Sequence, residues 1–363
     1  MVLRILHVLP SLDIGGVETS TLRLSLIQKE LGFHPLVVSA GGPLVASLKA
    51  HNIDHITLAL DTKNPIQILR HARILKKLQD QRRLDIVHVH SRAPAWSVYY
   101  AFKDTGLPWV STFHGVYSHQ NRLKRKYNEV MLKGDGVIAP SHYIKKHIES
   151  TYPRYPRIEV IYPGIDLNYF SSAHFSAYEI ERKRQSWGIY PGQKALLLPG
   201  RLSRIKGHHV AIEALKYLQD SRFKLIIMGQ GERSYRTELR DRSLPFKDQV
   251  VFVPPENDVR LAYLASDVVL STSTKPESFG LTILEAQALH KPVIATDLGA
   301  PQEIVQDGVS GRIIPAHNPD LLAQAILETT RKPFKIDPHH MEKFCQKVCA
   351  QKMLSFYKAI TEI

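Results

Sequence analysis

Cysteine is nearly absent: Cys345 and Cys349 are the only two in 363 residues. That excludes a disulfide scaffold and is consistent with a reducing, cytoplasmic compartment. Their spacing to His339 and His340 matches no standard ligand pattern, so no metal site is expected there. No run reaches the ~18 apolar residues that a membrane span needs. The opening MVLRILHVLPSLDIGG is broken by Arg4 and Asp13, lacks a small-residue cleavage site, and reads as a buried strand rather than a leader. Internal repeats and low-complexity tracts are also missing. The dinucleotide fingerprint G-x-G-x-x-G does not occur, since Gly229-Gln230-Gly231 has Ser234 where the third glycine belongs. A nicotinamide-dependent oxidoreductase is therefore a poor fit.

Hydrophobic residues make up 44% and charged residues 23%, ordinary values for a chain that folds in water. The length suggests two domains. Net charge is +14, which favours phosphate-bearing or anionic partners. Residues 1–170 hold 22 Lys+Arg against 13 Asp+Glu (+9), leaving 26 against 21 (+5) for the rest, so the front half is the more basic.

Short apolar runs alternate with helix-period stretches. The first series is LRILHVL (3–9), HPLVVSA (34–40), DIVHVH (85–90), PWVSTF (108–113) and DGVIAP (135–140). The second is KALLLP (194–199), FKLIIMG (223–229), QVVFVP (249–254), DVVLS (267–271) and KPVIAT (291–296). This pattern predicts an α/β protein with two tandem domains, each built on a parallel sheet buried on both faces. The expected domains are 1–170 and 171–340. A terminal helix from His339 to Ile363, its last part 341–363 expected to pack back toward the first domain, would bury Met341, Phe344, Val348 and Phe356.

Glycine-bearing turns follow strands in both halves. Gly15-Gly16-Val17-Glu18 opens a helix and would expose backbone N–H groups to an anion, although Asp13 and Glu18 read equally as helix-terminus carboxylates. In the second half, Gly200-Arg201 and Lys206-Gly207 place two cations near a sheet's carboxyl edge, where open α/β sheets bind ligands. Taken alone they read as a solvated surface pair. The segment Lys275-Pro-Glu277-Ser278-Phe279-Gly280-Leu281 ends in a helix start suited to a phosphate, and Glu285 reaches back toward the same mouth from one turn inside. Singly, Glu277 reads as a capping carboxylate and Glu285 as an exposed helix residue. Together with the cation pair, they frame an anion site flanked by carboxylates suited to sugar hydroxyls.

The E-x7-E element from Glu277 to Glu285, Gly15-Gly16-x-Glu18, Gly200-Arg201-x4-Lys206-Gly207 and Pro163-Gly164-Ile165-Asp166 resemble, in order and over essentially the whole chain, the retaining GT-B glycosyltransferases of family four (glycosyl transferases group 1). Thr62-Lys-Asn-Pro65, Ser91-Arg-Ala-Pro-Ala-Trp96 and Lys124-Arg125-x-Tyr127-Asn128 further resemble a bacterial branch acting on lipopolysaccharide core or related envelope glycans. The resemblance implies a GT-B fold, with two Rossmann-like domains facing across a cleft, the first binding the acceptor and the second the nucleotide sugar. It implies that Arg201 and Lys206 hold the diphosphate, Glu285 the ribose and Glu277 the sugar hydroxyls. Ser278 and the backbone of Phe279, Gly280 and Leu281 would complete that site. Gly15 and Gly16 would let the first loop approach the diphosphate, and His114 would face the sugar near the reacting carbon. On the residues alone His114 reads as a structural hydrogen-bond partner, and the other histidines, His208 and His209 included, as surface residues. The family's Gly-Gly-x-x-Glu is here Gly299-Ala300-Pro301-Gln302-Glu303, so that segment is left out of the site; Tyr162-Pro163 replaces an Asn common before Gly-Ile-Asp.

The expected activity is retaining hexosyl or heptosyl transfer from a nucleotide-diphosphate sugar to an envelope glycan or glycolipid. No cofactor is expected. No D-x-D occurs in the chain, so cations and a helix end are expected in place of a metal ion. Residues Asn121 to Lys133 read as an amphipathic basic helix, with Leu123, Tyr127, Val130 and Met131 on one side and Arg122, Lys124, Arg125 and Lys126 around them. It reads either as a solvated face over a packed core or as an attachment to the anionic inner face of the cytoplasmic membrane. A nucleic-acid binder would explain the charge, but aromatics are not interleaved with the basic runs and no known motif appears. A nucleotide-sugar epimerase or hydrolase of similar fold is the other alternative. Sugar, base (GDP-mannose, UDP-hexose and ADP-heptose all fit), acceptor and oligomeric state stay open.

Overall fold

The computed structural model describes residues 2–13, 15–117, 121–332 and 334–361. The chain forms two compact units, Met1–Gly164 with Lys343–Ile363, and Ile165–Glu342. No described helix is long and apolar enough to cross a membrane.

The first unit holds strands β1 (Arg4–Val8), β2 (His34–Ser39), β3 (Asp54–Thr57), β4 (Ile86–Val89), β5 (Trp109–Thr112), β6 (Gly136–Ala139) and β7 (Arg157–Val160). They pair in parallel as a seven-stranded sheet ordered β3-β2-β1-β4-β5-β6-β7. The second unit holds β8 (Lys194–Pro199), β9 (Phe223–Met228), β10 (Val250–Val253), β11 (Val268–Ser271), β12 (Val293–Thr296) and β13 (Gly311–Ile314), parallel in the order β10-β9-β8-β11-β12-β13. Both units are thus doubly wound α/β folds. Each sheet reverses its order once, between β1 and β4 and between β8 and β11. The crevices that open outside the strand ends at such points are the usual ligand sites of these folds.

All ten apolar runs are strands. Three strands lack such a run: β3 (DHIT) and β7 (RIEV) form the edges of the first sheet and β13 (GRII) an edge of the second. An edge strand needs no continuous apolar face, so the apolar signal is missing there.

The terminal helix is not continuous. Pro338–Glu342 and Gln346–Thr361 are separate helices, and the break carries Phe344, fully buried and edge-on to Tyr162 at 5.0 Å between ring centroids. Residues 362–363 of the expected helix lie outside the described residues. In the second helix Met353, Leu354, Phe356 and Tyr357 pack into a cluster with Leu3, Ile5, Ile86, Val110 and Ile138, covering one face of the first sheet.

Several histidines read as surface residues are buried. His7, on β1, and His88, on β4, have no exposed surface, His90 directly follows β4 at 3%, and His208 is also at 0%. Desolvation lowers His7 and His208 to about 4, the Gln28 hydrogen bond opposing it at His7. Between 6.5 and 4 the unfolded chain binds protons that these folded groups refuse. Stability is therefore complete above pH 6.5 and falls as the solution is acidified, by about 2 kcal/mol per histidine at pH 5. Urea unfolding at pH 7.5 and pH 5 checks this: the midpoint should drop markedly at the lower pH, and equal midpoints would contradict the burial of these rings.

Candidate functional site

The second unit brings its predicted residues to the reversal between β8 and β11. β8 ends at Pro199 and runs into Gly200-Arg201, a short 3₁₀ turn Arg204–Lys206, and the helix His208–Leu218. Its neighbour β11 leads through Thr272–Gly280 into the helix Leu281–Ala288. The two loops are stitched together. Thr272 Oγ1 donates to the carbonyls of Lys206 and Gly207 at 3.1 Å, and Thr274 N donates to Ile205 O at 2.8 Å. Gly207 has φ of 67°, and a Cβ there would collide with the Thr272 carbonyl oxygen, so this stitch requires glycine.

Within this junction Lys206 Nζ meets Glu277 Oε1 at 2.5 Å, the side chains being 30% and 17% exposed. Ser273 Oγ donates to the same carboxylate oxygen. Glu277 is fixed through its backbone: its N–H donates to Leu298 O at 3.1 Å and its carbonyl accepts from Ala300 N at 3.0 Å. Gly299, with φ of 93°, forms a parallel bridge to Glu277, and a Cβ would strike the Glu277 carbonyl. The Gly299-Ala300 segment that the sequence reading left out is therefore the support on which Glu277 rests. Its signal was present in the paired small residues after β12, which permit close backbone approach.

The helix Leu281–Ala288 begins at Gly280 with no side-chain cap, so its first N–H groups are offered to a ligand. Glu285 lies one turn inside and accepts from Tyr263 Oη at 3.1 Å. Phe279 is 3% exposed and anchors the turn; Ser278 and Leu281 are half-buried beside it. Arg201 stands exposed at the end of β8 and makes no ion pair among the described residues. The neighbouring Arg204 is instead committed to Glu238 and the Tyr235 ring.

Gly15, Gly16 and His114 belong to the first unit. Gly15 precedes the helix Gly16–Glu30, which also starts without a side-chain cap, and the Glu18 carboxylate folds back over it. His114 follows β5 and is linked to His90, Nε2 to Nδ1 at 3.1 Å. His114 is thus hydrogen-bonded within the unit through Nε2, and desolvation lowers its pKa to about 4.

At the carboxyl edge of the first sheet, three segments named above converge on a groove of about 580 Å³ lined by Lys63, Arg92, Lys124, Tyr127, Asn128 and Asp61 among others. Asn64 caps the helix Pro65–Arg82, placing Lys63 just before it. The Arg92 guanidinium donates to Asn128 Oδ1 at 3.0 Å and lies 4.2 Å from the Tyr117 ring centre. The basic helix is shorter than expected. It is α-helical only over Arg122–Asn128, after which Glu129–Leu132 turns as 3₁₀ and sends Val130 and Met131 fully into the core. Leu123, 77% exposed, is left among Arg122, Lys124, Arg125 and Lys126.

Two doubly wound parallel-sheet units define the GT-B class, and the comparisons with known proteins agree. Residues 14–169 match the family described as Glycosyltransferase Family 4 and residues 179–348 the family Glycosyl transferases group 1. A glycosyltransferase from Rickettsia africae is 32% identical, with a TM-score of 0.88 over 99% of this chain and 98% of that one. The chain belongs to these GT-B glycosyltransferases. A D-inositol 3-phosphate glycosyltransferase of Pseudarthrobacter chlorophenolicus is 28% identical over 84% of this chain and 80% of its own length. Anabaena Alr3699/HepE, solved with UDP-glucose, shares the fold at 24% identity and TM-score 0.86, covering 98% and 99% of the two chains. Curated relatives are spanned over as little as 61% of their own length.

The Lys206–Glu277 pair is partly screened, so its coupling is expected to be modest, about 1 kcal/mol. A double-mutant cycle of Lys206→Met and Glu277→Gln followed by urea unfolding measures it. Strict additivity would mean that the pair does not hold the two loops together.

Proposed function

We propose that this chain is a retaining glycosyltransferase moving a hexose or heptose from a nucleotide-diphosphate sugar to an envelope glycan or glycolipid, of lipopolysaccharide-core type, at the inner face of the cytoplasmic membrane. One observation carries the reading: a cation, a carboxylate and an uncapped helix start meet at the β8–β11 reversal. Departure of a nucleoside diphosphate builds negative charge on the leaving oxygen while positive charge grows at the sugar. Arg201, Lys206 and the helix start would stabilise that charge more in the transition state than in the ground state. Glu277 would hold sugar hydroxyls and Glu285 the ribose. The assignment of Gly15, Gly16 and His114 to the same substrate rests on the family resemblance. The absence of D-x-D from the sequence supports transfer without a metal ion.

The basic groove of the first unit supports an acceptor bearing an anionic group, held by Lys63, Arg92 and Lys124. The name of the Pseudarthrobacter relative includes a phosphorylated compound, D-inositol 3-phosphate, which is in keeping with an anionic acceptor here. Exposed Leu123 with its flanking cations supports contact with an anionic membrane, each cation near the surface contributing roughly 1 kcal/mol.

Incubation with radiolabelled GDP-mannose, UDP-hexoses and ADP-heptose tests the reading, with slow hydrolysis expected for one of them. Hydrolysis or transfer should survive EDTA, and the product anomer should keep the configuration of the substrate. Arg201→Ala should lower turnover roughly a hundredfold to a thousandfold while nucleoside diphosphate affinity changes far less. A strict magnesium or manganese requirement would remove the metal-free mechanism; epimerisation of a nucleotide sugar without transfer would replace the reading altogether. Separately, reversing Lys124, Arg125 and Lys126 to Glu should weaken sedimentation with anionic vesicles and leave nucleotide binding intact. Unchanged sedimentation would reduce that helix to a solvated face.

A further inference from the structure

Four buried or half-buried polar side chains of the first unit form a continuous hydrogen-bonded line. Gln28 Oε1 lies 2.8 Å from His7 Nε2, His7 Nδ1 lies 3.0 Å from His90 Nε2, and His90 Nδ1 lies 3.1 Å from His114 Nε2. A divalent cation is one occupant to consider, because ring nitrogens of His7, His88 and His90 fall within 4.8 Å of one another. Yet every ring nitrogen of these three already has a partner, His88 being held by the Tyr357 hydroxyl and Thr112 Oγ1 at 2.6 Å each. The cluster is satisfied without an ion.

The line has a direction. An amide oxygen only accepts, so the proton of His7 must sit on Nε2, toward Gln28. Burial keeps His7, His90 and His114 neutral at physiological pH, each carrying one ring proton. His7 Nδ1 is therefore a bare acceptor, and His90 must donate to it from Nε2. His90 Nδ1 is then bare in turn, and His114 must donate to it from Nε2. The last nitrogen, His114 Nδ1, is left with a lone pair and takes no hydrogen bond among the described residues, while the ring lines a small cavity of about 60 Å³ at the strand ends. Had Gln28 presented its NH₂, every proton would sit on the opposite nitrogen and His114 would offer N–H outward. In this structure Oε1 is the atom that faces His7, and the buried Gln28 amide nitrogen makes no hydrogen bond among the described residues.

We propose that Gln28, His7 and His90 act as a buried tautomer relay that fixes His114 in its Nε2–H form, so that Nδ1 is offered as a hydrogen-bond acceptor to a hydroxyl-bearing ligand. Gln28 and His7 are positioning residues: they act on the ligand only through the ring they orient. The relay stands on the first unit alone; the identity of the ligand as a sugar rests on the function proposed above.

Imidazole ¹⁵N spectra of the ligand-free, full-length protein labelled at histidine test the relay, with resonances assigned by single-site variants. At pH 7.5 His7, His90 and His114 should all show protonated Nε2 and bare Nδ1. Gln28→Leu, which removes the terminal acceptor, should convert His114 to a mixture of both forms, and Gln28→Glu should restore the single form. A parent spectrum with Nδ1–H on His114, or a Gln28→Leu spectrum identical to the parent, overturns the relay. Should Gln28→Leu fail to fold, the parent spectrum still decides the proton's position. In the transfer assay Gln28→Leu should lose about fivefold in rate, the scale of one neutral hydrogen bond, with recovery in Gln28→Glu. Normal transfer by a variant whose His114 is demonstrably mixed would overturn the ligand-facing role. Inactivity of the parent itself would count against the proposed function, leaving the relay to be judged by the spectra.

Discussion

Parallel pairing of β8 with β11 is the constraint on which the candidate site depends. The chain leaves β8 toward β9 on one side and returns at β11 on the other, so the loops after these strands lie side by side with no crossover helix between them. Everything at the site follows from that juxtaposition. Thr272 bonds the Lys206 and Gly207 carbonyls, Lys206 reaches Glu277, and the helix after Gly280 starts at the same edge. The bonds are individually modest, but each fixes a loop that would otherwise carry unpaired backbone groups. Preorganisation of this kind lets a charge act on a developing anion without rearrangement.

The first unit repeats the reversal between β1 and β4 but uses it differently. Its strand ends carry histidines where the second unit carries Lys206 and Glu277. Neutral rings in a line transmit orientation rather than charge, because each nitrogen's role is dictated by its neighbour. The same burial that permits the line makes it acid-sensitive, so positional order and pH lability have one cause. Farther along the same edge, Asn128 and Tyr117 hold the Arg92 guanidinium, which lines the basic groove together with Lys63 and Lys124.

Much of this was legible in the sequence, and the parts that were not share physical reasons. Continuous apolar runs identified the strands buried on both faces, whereas DHIT, RIEV and GRII sit at sheet edges and mix exposed with buried positions. The 3.6-residue period between Asn121 and Lys133 was real only to Asn128; beyond it a 3₁₀ turn carries Val130 and Met131 inward, and periodicity cannot distinguish an apolar stripe facing solvent from one facing the core. Phe344 interrupts the terminal helix because its ring packs on Tyr162, a tertiary contact with no local signature. His7 and His88 were readable in principle: they lie inside ILHV and IVHV, runs assigned to strands covered on both sides, so burial followed from the strand assignment whatever the residue's polarity. Glu277, Lys206 and Glu285 were legible as a set because the spacing of charges around a helix start survives in sequence, while for Gly299 and Ala300 only the small side chains were legible and their pairing with Glu277 is a tertiary contact.

Amide hydrogen exchange with and without a nucleoside diphosphate, using UDP, GDP and ADP in turn, tests the placement of the site most directly. The account predicts slowed exchange for one of these nucleotides in Gly200–Gly207 and in Phe279–Leu284, where the helix N–H groups would cover the phosphates. Protection confined to other segments, or none in either loop at saturating nucleotide, would contradict a phosphate site at the β8–β11 reversal.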